Sequence, residues 1–137
     1  MTTAKRFEDL EVWQRAKDLT NLIYKYSTDG TFARDFGLRD QMRRAAVSIM
    51  SNIAEGFESQ TQAQFIKYLG LAKGSAGELR AQLCIARGQG YISEENFSEL
   101  FLLAEICSKQ LARIIQYLET QPNARRMRED GAEYNVE

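Results

Sequence analysis

The 137-residue sequence contains one proline, and it stands at position 122. A proline inside a helix costs about 3 kcal/mol, so the long stretch before it carries no such break. Almost no segment there alternates apolar and polar residues as a half-buried strand would. Instead, apolar residues recur at three-to-four spacing in four blocks, and this periodicity predicts four helices.

The first helix is expected from about Leu10 to Tyr26, with Asp9 as N-cap and Val12, Trp13, Ala16, Leu19, Ile23 and Tyr26 on its apolar face. The stretch "STDGTFARDFG" then breaks the pattern at Gly30 and Gly37. A second helix follows over "GLRDQMRRAAVSIMSNIAEGF", with Gly56 expected as its C-terminal glycine. The third runs from about Gln62 to Arg87, with Phe65, Leu69, Ala72, Ala76, Leu79 and Leu83 on one stripe. After "GQGYIS", Ser93 caps a fourth from about Glu94 to Thr120. Short connections favour antiparallel neighbours, so the expected fold is all-α, an up-down-up-down four-helix bundle over residues 1–120. Residues 121–137 are polar and patternless and are read as a disordered tail.

Two helices carry more face than a simple bundle needs. On the second, apolar positions cover roughly 200° of the wheel, wider than a bundle core requires. Arg39 and Arg43 fall inside that arc, where an arginine must snorkel, pair with a carboxylate or lie at a seam between subunits. Arg44 lies on the polar side with Gln41, Ser48, Ser51, Asn52 and Glu55. On the third helix, Ala63, Gly70, Gly74, Gly77 and Ala81 share about 60° of the wheel opposite the apolar stripe. Each interior glycine costs about 1 kcal/mol relative to alanine, so three on one face call for close backbone approach, either within the monomer or between subunits.

The chain offers little for catalysis. It has no histidine, which removes the commonest general base and the usual nucleophile pairs. Cys84 and Cys107 have no CxxC spacing, so neither a zinc site nor a disulfide framework is expected, and no cofactor. Glu55 and Glu78 could meet as paired carboxylates across helices, but a structural role for Ser48, Asn52, Glu55, Gly70, Gly74, Gly77 and Glu78 is the better reading, and the protein is expected not to be an enzyme. Trp13, Tyr24, Tyr26, Tyr68 and Tyr91 are spread over different elements, as core or interface aromatics rather than base-stacking platforms. The net charge of −1 excludes general basicity, so any nucleic-acid surface must be a local patch, for which Arg39, Arg43 and Arg44 are the candidates. The first residues lack the apolar core of a secretory leader and no apolar run reaches the ~18 to 20 residues of a membrane span, so a cytoplasmic location is expected.

The segments "FEDLEVWQRAKDL", "FGLRDQMRRAAVSIMSNIAEGF" and "FIKYLGLAKGSAGELRAQL", followed by "GYIS", together resemble the bacterial four-helix bundle proteins encoded in intervening sequences of 23S ribosomal RNA genes. The resemblance covers about residues 7–120, and the order of "RRAAVSI", "NIAEG" and "AKGSAGEL" is what makes it specific. It implies a bundle that assembles as a homopentamer, with RNA as the suspected partner. A group related in fold serves as the accessory variability protein of diversity-generating retroelements, which implies an alternative: an accessory subunit binding a reverse transcriptase and its RNA. Two prolines common in the family are replaced here by Ala33 and Met50, which should straighten the second helix. The slightly acidic charge departs from the strongly basic accessory proteins.

Overall fold

A computed structural model describes residues 4–121. Among these residues there is no strand, and four long helices account for most of the chain: α1 (Glu11–Tyr26), α3 (Phe36–Glu58), α4 (Gln62–Gly88) and α5 (Glu94–Glu119), with a short α2 (Gly30–Arg34) between the first two. The expected polar tail lies, apart from Gln121, outside the described residues. Each long helix packs against two others, α3 on α1 and α4, and α5 on α4 and α1. Their apolar stripes meet in one core in which Leu19, Ile23, Met42, Ile49, Leu69, Leu79, Leu100 and Leu111 are fully buried. No helix is long and apolar enough to cross a membrane among the described residues.

Helix starts follow side-chain capping in three of four cases. Asp35 accepts from the Leu38 amide at 3.2 Å, Thr61 from Gln64 at 3.1 Å and Ser93 from Asn96 at 3.0 Å. The fourth departs from expectation. Asp9 does not cap α1, because its carboxylate turns back to accept from the amides of Lys5 and Arg6 and closes a single 3₁₀ turn over Phe7–Asp9. The stretch expected to be a simple break contains α2, where Gly30 at φ +70 turns the chain and Phe32 enters the core. Phe32 stacks on Tyr91 with ring centroids 5.3 Å apart, and the Tyr91 hydroxyl donates to Asp35 at 2.8 Å. One carboxylate thus caps α3 and fastens the α4–α5 turn.

That turn ends α4 in a Schellman arrangement. The Tyr91 amide reaches the Ala86 carbonyl at 2.9 Å and the Gly90 amide reaches Arg87 at 3.0 Å, with Gly90 at φ +74. Gly56, by contrast, is not a C-terminal glycine. It lies within α3, buried, and a Cβ there would come within 2.9 Å of the Tyr68 Cβ and 3.1 Å of the Phe65 ring on α4. Gly56 is where the two helices touch most closely among the glycines.

Polar groups stitch the layers. The Thr20 hydroxyl of α1 lies between the carbonyls of Ala16 at 2.8 Å and Ala46 of α3 at 3.1 Å. Gln110 of α5 donates to Glu11 at 2.8 Å, and Tyr26 of α1 to Glu99 of α5 at 2.9 Å. Cys107 is fully buried, and burial pushes its thiol up to about 12 despite the opposing influence of Arg15.

The two glycines differ in what an added methyl group would do. Gly56→Ala forces α3 and α4 apart and should cost about 1–3 kcal/mol. Gly90→Ala meets no atom but strains a left-handed backbone, costing about 1–2 kcal/mol. Asparagine should recover part of the loss at position 90 and none at position 56, and urea unfolding of the four variants checks the pattern.

Candidate nucleic-acid interface

The three arginines of "RDQMRR" leave α3 on two sides, and the structure gives them unequal roles. Arg39 is half-buried. Its Nε donates to Asp40 at 2.9 Å and its Nη1 to the Ala33 carbonyl at 3.0 Å, while the guanidinium lies 4.9 Å from the centre of the Phe36 ring. Arg43 reaches back to α1. Its Nε donates to the Ser27 hydroxyl at 2.9 Å and its Nη2 to the Ser27 carbonyl at 3.3 Å, with the guanidinium 4.5 Å from the centre of the Tyr24 ring. The Ser27 hydroxyl donates in turn to Ile23 at 2.6 Å, satisfying a carbonyl at the end of α1. These two arginines hold the first helix and the connection after it against α3.

Arg44 is different. It is exposed, and among the described residues it forms no hydrogen bond or ion pair. It stands on the rim shared by two clefts. One, of about 520 Å³, is lined by Tyr24, Asp40, Arg43, Val47 and Ser48 beside it, and the other, of about 170 Å³, by Gln41, Ala45, Ser48 and Glu78. The arrangement offers one mobile-length cation over a polar floor, with a second guanidinium face already stacked on an aromatic ring next to it.

In the "SIMSNIAEG" half of α3, Ser48 and Asn52 spend their hydrogen bonds within α3 and on α4. Ser48 and Ser75 exchange a hydrogen bond of 2.9 Å between α3 and α4, and Asn52 donates to both the carbonyl and the hydroxyl of Ser48, at 2.9 and 3.0 Å. Ser75 belongs to this cluster although its sequence context, inside a glycine-rich run, gives no sign of it. The pairing of Glu55 with Glu78 is not formed. Glu55 adjoins Gly56, which packs on Phe65 and Tyr68, whereas Glu78 lies about 15 Å further along α4 at 1.5 Å per residue, beside Arg44.

The glycine face of α4 also departs from one of its two readings. A Cβ at Gly70 or Gly74 would meet no atom within 4 Å, and at Gly77 only the Arg80 Nη2 at 3.8 Å. Close packing within the chain does not explain these glycines. Gly70 and Gly74 lie in the open with Leu71 and Ile85, which are 49% and 52% exposed on the same helix, while Gly77 is half-buried.

Four long helices about one apolar core, with polar clefts along the outer side of α3, define a helical bundle protein. The sequence model of the 23S rRNA-intervening sequence protein matches residues 8–113, and the chain belongs to that family. A search of curated proteins finds no match. Among solved structures, the chain is similar to a protein with unknown function from the S23 ribosomal protein family of Bacteroides thetaiotaomicron. The two are 26% identical with a TM-score of 0.71, over 76% of this chain and 97% of the other.

The unequal roles of neighbouring arginines can be measured. Arg43→Gln should destabilise the chain by about 1–2 kcal/mol through loss of the Ser27 contacts, while Arg44→Gln should stay within about 0.5 kcal/mol of the parent. Thermal unfolding of the two variants side by side checks this.

Proposed function

We propose that this protein is a non-enzymatic, homo-oligomeric, cytoplasmic bundle that binds RNA, with its four long helices running up-down-up-down and the arginine side of α3 as the contact surface. The observation that carries the binding reading is Arg44, a guanidinium with no hydrogen bond or ion pair among the described residues, at the junction of two clefts. A neutral chain can hold nucleic acid this way only if copies bring such cations together, and association by symmetry supplies that without raising the charge of the monomer. The uncovered strip of Gly70, Gly74, Leu71 and Ile85 on α4 supports self-association, since glycines facing open space stabilise nothing within one chain. The number five comes from the family resemblance.

Fluorescence anisotropy with a labelled 23S rRNA fragment tests the binding. Affinity should fall by about tenfold or more between 50 and 200 mM salt, and Arg44→Gln should weaken it further and flatten the salt dependence. Affinity that is indifferent to salt, or to Arg44, rejects the reading.

Light scattering tests assembly. Within one chain Gly74→Ala adds helix stability of about 0.5–1 kcal/mol. A variant that is more helical yet smaller in mass therefore locates the contact between chains on this strip. A parent protein that is monomeric at micromolar concentration removes the assembly.

A further inference from the structure

A third cleft lies between α4 and α5, away from the α3 arginines. It has a volume of about 230 Å³ and is lined by Lys73 and Arg80 of α4 and by Glu105, Ser108, Lys109 and Ala112 of α5. Helical spacing builds it. Lys73 and Arg80 are seven residues apart and so share a face two turns along α4, and Glu105, Ser108, Lys109 and Ala112 follow the three-and-four spacing of one face of α5.

Its chemistry is unbalanced. Three cations face one carboxylate, and none of Lys73, Arg80 and Lys109 forms an ion pair among the described residues. Two buried donors are unsatisfied as well: among the described residues the Arg80 Nε and the Ser108 hydroxyl have no hydrogen-bond partner. Ser108 is only 8% exposed, and a helical serine so buried ordinarily bonds to the carbonyl one turn back. Leaving such groups unpaired is costly, and two of them in one cleft call for a common acceptor. The Arg80 guanidinium lies 5.9 Å from the centre of the Phe101 ring.

We propose that this α4–α5 cleft is a binding site for a phosphate group. A tetrahedral oxyanion is an acceptor on every side, so one group can take hydrogen bonds from a guanidinium, two ammonium groups and a hydroxyl together. Glu105 sets the balance. As the one carboxylate lining the cleft it opposes a fully ionised ligand, and its removal should tighten binding. A free phosphate ion or phosphomonoester and the backbone of a nucleic acid present the same group, and the cleft chemistry is shared by both. The site is independent of Arg44 and of the RNA reading above.

Inorganic phosphate titrated at constant ionic strength, followed by amide shifts of Gly77, Ser108 and Ala112 in two-dimensional NMR spectra, tests the site. Saturable shifts are expected. Arg80→Gln should weaken binding at least about tenfold, the loss of a charge-assisted hydrogen bond, Ser108→Ala should weaken it about threefold to tenfold, and Glu105→Gln should strengthen it. Arg113→Gln, on the exposed side of α5, should leave it unchanged. Circular dichroism of each variant separates loss of binding from loss of fold, and Ser108→Ala removes one oxygen without touching the helix surface. Shifts that do not saturate, or that respond to Arg113 as much as to Arg80, overturn the proposal. A short single-stranded RNA that displaces phosphate from the same amides identifies a nucleic-acid backbone as the source, and phosphate binding that RNA leaves untouched identifies a small phosphorylated ligand.

Discussion

The contact of α3 with α4 at Gly56 is the constraint around which the other helices are arranged. With no side chain there, the backbone of α3 can lie against Tyr68 and Phe65. The rest of the interface follows from that distance: Ser48 comes within hydrogen-bonding reach of Ser75, and Ile49 and Ile53 sink fully into the core. Like the other long helices α3 packs on two neighbours, α1 and α4, and part of its apolar arc, at Phe36 and Val47, stays exposed.

Much of the fold is legible in the sequence because each long helix buries one stripe, and stripes have a period. The ends of α1, α4 and α5 fall within a residue or so of where the apolar spacing and the cap Ser93 place them. What escapes is set by contacts between distant residues. Gly56 closes an apolar run and so looks like a helix terminator, yet its conformation is ordinary and its significance comes from Tyr68. Five residues of α2 are too few to show a period, and only the stacking of Phe32 on Tyr91 explains why they are ordered as a turn of helix. The cost of three glycines on α4 is a real signal, but a wheel cannot say whether the missing side chains make room inside the chain or outside it.

The candidate site divides along the same line. The wheel places Arg39 and Arg43 toward the apolar side, and the structure shows the physical resolution: each guanidinium lies over an aromatic ring, Phe36 or Tyr24, with Arg39 bonded to the Asp40 carboxylate and the Ala33 carbonyl and Arg43 to the hydroxyl and carbonyl of Ser27. That partition among three neighbouring arginines depends on Ser27, sixteen residues away, and no spacing rule reveals it. Lys73, Arg80 and Lys109 show the converse. Each reads as an ordinary surface cation in its own helix, and they become a group only when α4 and α5 are laid together.

The two cysteines, unremarkable for function, make the molecule a gauge of its own motions. Cys84 is exposed on α4, whereas the Cys107 thiol is enclosed in the core and held protonated far above neutral pH. An alkylating reagent near pH 8 therefore meets one sulfur in the folded chain and reaches the second only when α5 swings away from its neighbours. The delay between the first and second adducts, read by mass, is a clock for how often this core opens.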